Sequence, residues 1–316
     1  MEAVTSTIAD VAFDDVATRL KGQRAVFVGA ARNCAPDLPR VLENIVRLSA
    51  LYADARFIFA VSDSTDATVD VLDQWMAAGR PGNVLNLGTL MSSVPVRTER
   101  LAVARNACLA EAHRLGYAEY EHLVVSDLDN VMALPVSVDA FAAAACWLDG
   151  EARRAGVFAN STPKYYDVWS LRHELWCPHD CWQAIWYRDS DESFEAAKTR
   201  EVFARQIAIP QWLSPIPVQS AFGGLGIYKA AYAKDARYKG TDNELRQTSE
   251  HVQFNKDIGQ AGGRLYIFPS LIVQAPPEHL YQPHEFSWWW RVKMYYQASK
   301  ERRAPRWQKV LGFQEP

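Results

Sequence analysis

Two aspartates behind a short apolar run are the residues best placed to do chemistry. In residues 121–130, EHLVVSDLDN, Leu123, Val124 and Val125 predict a buried strand. Continuous hydrophobicity of this length suits a parallel strand covered on both faces. The run stops at Ser126, and Asp127 and Asp129 follow two residues apart. On extended backbone such residues share one face. Both carboxylates then gather at the C-terminal end of the strand, where open α/β sheets bind ligands. Oxygen donors of this kind suit Mg²⁺ or Mn²⁺, and the ion would in turn hold a diphosphate. The competing reading of Asp-x-Asp is a solvated turn or a helix cap. A calcium loop of the helix–loop–helix type lacks its Gly and its distal Glu here.

The elements that must position this pair alternate in type. Residues 24–29 (RAVFVG) predict a strand, followed by the turn Ala31-Arg32-Asn33. Asp37 is expected to cap a helix carrying Leu38, Val41, Leu42, Ile45 and Leu48 at helical spacing. A strand over 56–61 (RFIFAV) ends in Ser62-Asp63-Ser64-Thr65-Asp66, residues of the capping type, and Val69, Leu72 and Met76 carry the next helix. A strand over 84–87 and a helix over 98–115 lead into the aspartate strand. This alternation predicts an α/β fold, a mostly parallel sheet with helices on both faces. The dinucleotide fingerprint G-x-G-x-x-G and the phosphate loop G-x-x-x-x-G-K-[ST] are both absent. Phosphate must be held some other way, and a metal on Asp127 and Asp129 is the candidate.

The second half is expected to be mixed. It has a helix over 136–148, a strand over 156–159, an aromatic segment over 164–188 without clear periodicity, and the glycine-rich FGGLGIY within 211–228. A helix over 248–260, ended by Gly259 and the Gly262-Gly263 pair, precedes a strand over 264–273. The chain divides into a leader (1–23), two halves of one domain (24–135 and 136–285) and a basic and aromatic segment (286–316).

The 316 residues suffice for a substantial core. A formal net charge of −3 argues against a dedicated nucleic-acid binder. Five widely spaced cysteines read as reduced thiols of a cytosolic protein. No apolar leader follows Met1, and no run approaches the ~20 apolar residues of a membrane span. The expected location is the cytoplasm. Eleven tryptophans include Trp169, Trp176, Trp182 and Trp186 and the run Trp288–Trp290. They serve either a core or the stacking of sugar rings. Residues 286–309 mix aromatic and basic side chains, the composition of a peripheral membrane contact or of a packed helix with a wet face.

Four stretches, RAVFVGAARN, VSDSTDAT, RTERLAVARN and VVSDLDN, together resemble the A-type (GT-A) nucleotide-diphospho-sugar transferase fold. YYDVWSLR (residues 165–172) extends the resemblance to the fungal capsular α-mannosyltransferase family. The resemblance implies a glycosyltransferase, with GDP-mannose as donor, retention of anomeric configuration and a glycan or lipid-linked glycan as acceptor. It implies that Ala31, Arg32 and Asp63 bind the nucleotide and that Asp127 and Asp129 bind Mn²⁺ or Mg²⁺ and diphosphate. A late His, His279 or His284, would complete the metal shell. Arg105 beside Asn106 would face the donor, in preference to Arg97 and Arg100. Tyr166, Asp167 and Trp169 would line the sugar pocket, and Gly223 and Gly224 would let the ligand approach backbone. Glu250 would face the acceptor as a base or a hydroxyl ligand.

Each carries a plainer alternative. Asp63 and Glu250 are equally read as helix caps, Tyr166, Asp167 and Trp169 as a packed aromatic with a satisfied acid, and the glycines as a tight turn. Either His fits a surface role. Cys177-Pro178-His179-Asp180-Cys181 suggests zinc, but no second ligand pair stands at finger spacing. Two rivals to the transferase are a sugar-phosphate nucleotidyltransferase and a non-catalytic carbohydrate-binding protein. The first expects a denser glycine loop than GAARNCAPD, and the second leaves the acidic pair without a task.

Overall fold

A computed structural model describes residues 20–281. Strands β1 (Arg24–Ala31), β2 (Asp54–Val61), β3 (Gly82–Asn86) and β4 (His122–Ser126) alternate with helices α1 (Leu38–Ser49), α2 (Thr68–Ala77) and α3 (Arg97–Arg114). Then come α4 (Val138–Asp149), β5 (Arg154–Thr162), α5 (Cys181–Trp186), α6 (Phe194–Glu201) and β6 (Ile216–Val218). The described chain closes with β7 (Leu225–Lys229), α7 (Ala230–Ala233), α8 (Glu250–Gln260) and β8 (Arg264–Gln274). All these strands join one sheet of order β3-β2-β1-β4-β7-β5-β8-β6. The first four are parallel, β7 runs antiparallel between β4 and β5, β8 is parallel to β5, and β6 is an antiparallel edge. The fold is thus the α/β class that the alternation predicts.

The alternation of side chains along each central strand feeds two cores. Phe27, Phe57, Phe59 and Val124 pack on one face under α1, α2 and α4. Val26, Val28, Ile58, Ala60, Leu123 and Val125 pack on the other, under α3 and α8. Burial on both faces is why these strands read as unbroken hydrophobic runs. The segment after β5 builds a small core of its own from Val168, Cys181, Ile185, Ala197 and Val202, with Trp169 and Trp182 packed against it.

Three local readings change. Asp37 does not cap α1 with its side chain, which pairs with Arg40; the amides of Asp37 and Leu38 donate instead to the Cys34 carbonyl. Helix α6 has no counterpart in the sequence reading, because its apolar positions are few; Ser193 caps it by accepting from the Ala196 amide. FGGLGIY ends in β7, whose burial on both faces hides any alternation. Among the described residues no helix is long and apolar enough to cross a membrane. Residues 1–19 and 282–316 lie outside the described chain, and with them His284, Trp288–Trp290 and the 286–309 segment.

Candidate active site

The C-terminal ends of β1, β2 and β4 form one edge of the parallel half. Ala31 closes β1 and is buried, and Arg32 beyond it is exposed. Asn33 (φ 49°) and Asp63 (φ 54°) turn the chain away from β1 and β2 in left-handed conformation, which Asn and Asp tolerate best after Gly. The two turns are laced together. Asn33 Oδ1 accepts from the Thr65 amide at 2.7 Å, and the Asn33 amide donates to Ser64 Oγ at 3.2 Å. Asp63 Oδ1 accepts from the Met91 amide at 2.9 Å. Its Oδ2 is buried with no hydrogen-bond partner among the described residues. Asp63 is therefore not the cap of α2; Asp66 accepts from the Thr68 amide at the start of that helix.

Asp127 and Asp129 follow directly on β4. The Asp127 amide donates to the Gly224 carbonyl at 2.8 Å, and its Oδ1 accepts from Arg105 Nη2 at 2.9 Å. Asp129 opens onto solvent and accepts from the Val131 amide, capping a short turn. Burial, and next the nearby Asp129 charge, push the Asp127 carboxyl up to about 7 against the pull of Arg105. The Asp129 carboxyl also rises, through desolvation, although the Val131 amide and then the His279 charge oppose the rise. Two neighbouring carboxyls that both resist ionisation fit a divalent cation, which would restore both to the charged form. Among the described residues no three His, Cys, Asp or Glu converge as a ready-made metal shell. A Mg²⁺ or Mn²⁺ ion held by two carboxylates takes the rest of its shell from water and substrate phosphates.

His279 reaches this edge from the chain after β8. Glu278 accepts from Asn130 Nδ2 at 2.8 Å, and Gln206 donates to the His279 carbonyl at 2.7 Å. The imidazole stacks on Tyr166, with centroids 5.6 Å apart and planes 9° from parallel. Asp127, Asp129 and Asp167 all raise the Tyr166 hydroxyl well above its ordinary range, after burial, the largest cause. Tyr166 and His279 therefore stand beside the acidic pair.

Gly223 (φ 68°) and Gly224 (φ 89°) form a left-handed turn in which a Cβ at Gly223 would lie 2.6 Å from the Ala159 carbonyl and one at Gly224 would meet Val131. Asp167 holds this turn, its Oδ2 accepting from the Gly223 amide at 3.0 Å and its Oδ1 from the Ser170 amide. Gly224 in turn holds Asp127, so the acid of YYDVWSLR steers the metal-side acid through backbone. Trp169 packs edge-on against Trp182 and Trp186, at 6.2 and 6.1 Å, with Nε1 unpartnered among the described residues.

Arg105 is the main departure from expectation. It lies on the third turn of α3, only 5% exposed, and its Nε donates to Glu250 Oε1 at 3.0 Å while Nη2 holds Asp127. Glu250 is thus paired with Arg105, and no side-chain cap is formed at the start of α8. Arg97, at the start of the same α3, is exposed, and its charge acts on Asp129. Arg100 binds the Val94 and Pro95 carbonyls. Of the three, Arg97 has the position that suits a phosphate. His251 stacks on Phe222 at 3.8 Å, and burial followed by the Arg105 charge lowers its pKa well below the usual histidine range.

A polar hub beside Glu250 escaped the sequence reading. Asp180 Oδ2 accepts from Arg172 Nη2 at 2.6 Å and Thr248 Oγ1 at 2.7 Å, while Oδ1 accepts from the Trp182 and Gln183 amides. Ser170 and Ser249 meet at 2.9 Å. Together these tie the tryptophan segment to the start of α8. The same bonds answer the zinc suggestion. Asp180 is occupied, His179 pairs with Glu201 at 2.9 Å, and Cys177 donates to backbone carbonyls.

No protein-family model matches the chain, and no curated protein does. Similar solved structures include the mannosyltransferase PcManGT from Pyrobaculum calidifontis in complex with GDP-Man and Mn²⁺. It is 15% identical, over 92% of this chain and 68% of that one, with a TM-score of 0.47. Another is S. aureus TarS 1-349, 13% identical over 92% and 69% of the two chains, TM-score 0.47. The same TarS 1-349 in complex with UDP is 15% identical over 92% and 69%, TM-score 0.44. What this chain does rests on its own residues.

Proposed function

We propose that the protein is a metal-dependent glycosyltransferase that moves a sugar from a nucleotide-diphosphate donor. The observation that carries this reading is the acidic pair Asp127 and Asp129 at the C-terminal end of β4, beside the laced ends of β1 and β2. Ligands of open parallel sheets bind at such an edge. Asp63 Oδ2, buried and unpartnered, would accept from a base N–H or a ribose hydroxyl. Arg32 and Arg97 are exposed, and Arg97 adds its fork of donors to the dipole of the α3 N-terminus, a combination suited to diphosphate. Asp127 and Asp129, with His279 alongside, would hold Mn²⁺ or Mg²⁺. The ion, when bound, offsets the charge building on the leaving diphosphate.

The resemblance to the fungal capsular α-mannosyltransferases favours GDP-mannose as donor, retention, and a glycan or lipid-linked glycan acceptor. Asp167 is committed to the Gly223 amide and Glu250 is buried behind Arg105, so neither is a free nucleophile. Front-side attack fits better. The acceptor oxygen bonds to the anomeric carbon as the bond to diphosphate breaks, and the acceptor proton passes to the leaving phosphate. Tyr166 would orient the sugar. The test is a thermal-shift panel of GDP- and UDP-sugars with and without Mn²⁺. GDP-mannose should raise the melting temperature, and only with Mn²⁺. A metal-independent shift, or none with any nucleotide sugar, contradicts the reading.

A further inference from the structure

One buried guanidinium serves two acids. Arg105 Nη2 lies 2.9 Å from Asp127, at the metal-facing edge, and Nε lies 3.0 Å from Glu250. The remaining nitrogen, Nη1, is buried without a partner among the described residues. The guanidinium sits over the Phe222 and Tyr238 rings, at 5.0 and 5.8 Å. Those rings are themselves braced, Phe222 stacking on His251 at 3.8 Å and Tyr238 on Phe254 at 4.1 Å. Asn106 fixes the Tyr238 backbone by bonding both its amide and its carbonyl. The cage holds Arg105 where it cannot turn to solvent when one acid changes.

From this geometry we infer that Arg105 couples the two acids, so that affinity for a divalent cation at Asp127 depends on Glu250, which the cation does not need as a ligand. This rests on the metal reading given above. In water an arginine would turn to solvent and be screened. In a buried site of low dielectric its charge acts at full strength on whatever remains beside it. With Glu250 charged, that acid draws part of the guanidinium's field away from Asp127, and an incoming cation meets less repulsion. With Glu250 neutral, the whole charge of Arg105 bears on Asp127 and opposes the cation. Linkage is reciprocal, so a cation on Asp127 turns Arg105 more fully toward Glu250. Metal and donor would thereby fix how the Arg105 charge is shared between the two acids before the acceptor arrives. Phe222, Tyr238 and Asn106 become positioning residues through the cage.

The experiment is a titration of Mn²⁺ alone into the full-length protein, following free Mn²⁺ by electron paramagnetic resonance. Glu250→Gln should raise the Mn²⁺ Kd about fivefold or more. Glu121→Gln, which removes a charge at the far end of β4, should leave it unchanged. Equal Kd for wild type and Glu250→Gln overturns the coupling, as does an equal rise in both variants. In wild type, Mg²⁺ should shift the Nε–H resonance of Arg105, a readout that does not depend on any variant folding. An unmoved resonance under saturating Mg²⁺ also overturns the coupling. Should wild type bind no Mn²⁺, the metal reading itself falls; should it bind normally and Glu250→Gln match it, only the coupling falls.

Discussion

In the half built from β1 to β4, cleft-facing residues are aimed by backbone. Parallel strands end in register, left-handed turns at Asn33 and Asp63 redirect the chain, and the side chains there cross-link neighbouring turns. In the half that follows, backbone regularity is thinner, and buried polar side chains do the aiming. Asp167 fixes the glycine turn, Asp180 joins Arg172 and Thr248, and Ser170 meets Ser249. The difference teaches where each half is vulnerable. The first half should tolerate loss of side-chain pairs, because apolar packing holds its strands. The second should fail when one hub is removed, because each hub satisfies several buried groups at once.

The largest effect should come from Asp180→Ala. It strips partners from Arg172, Thr248 and two helix amides, and breaking a buried ion pair costs about 3–5 kcal/mol. Urea unfolding measures this, and a loss below about 1 kcal/mol would mean that the second half is held by packing after all. Gly224→Ala comes next. Left-handed backbone and the clash with Val131 together should cost about 2 kcal/mol or more, and the displaced Gly224 carbonyl should release the Asp127 amide. Solvent protection of that amide in hydrogen exchange reports the release.

His251 and Asp127, at the junction of the halves, give opposite pH signatures. His251 titrates in the fold well below its ordinary 6.5. Unfolding then takes up a proton, so its contribution is present above that ordinary value and is lost as pH falls through 6.5 and below. Asp127 titrates in the fold at about 7, above its ordinary 3.8. Its contribution is present below 3.8 and is lost as pH rises through about 7. In chelator, the wild-type melting midpoint should therefore fall as pH rises through about 7, Asp127→Asn should reduce that fall, and His251→Phe should flatten the acid-side loss. An equally steep fall in Asp127→Asn would contradict the burial argument. The smallest effect belongs to the first half. Arg24→Ala breaks a 2.9 Å pair with Glu121 in which both side chains are well exposed. It should change stability by at most about 1 kcal/mol.

The same contrast explains what the sequence could disclose. The strands at 24–31, 54–61 and 122–126 were legible because burial on two faces writes itself as an apolar run, and Asp127 and Asp129 because they end one. The partnership of Arg105 was not. Its neighbours Ala104 and Cys108 mark the inward face of α3, but the resemblance aims Arg105 at the donor, and its acid partner Glu250 stands 145 residues away. Asp180 was hidden for the same reason, since Thr248 stands 68 residues on. His179 and the flanking cysteines drew attention toward zinc instead. Resemblance alone favours Arg105 over Arg97 as the donor-facing arginine; helical spacing does not tell which of them meets solvent, and Arg97 is the exposed one.

The measurement closest to the central claim is calorimetric titration of GDP-mannose into the protein in Mn²⁺, in chelator, and in the Asp129→Ala variant with Mn²⁺. Among the described residues the Asp129 side chain hydrogen-bonds only the nearby Val131 amide, so the variant should fold. Binding in Mn²⁺ that disappears in chelator and falls at least tenfold in Asp129→Ala is the expected result. Equal affinity under all three conditions would contradict the account, since the donor would then be held without the metal and without the acidic pair.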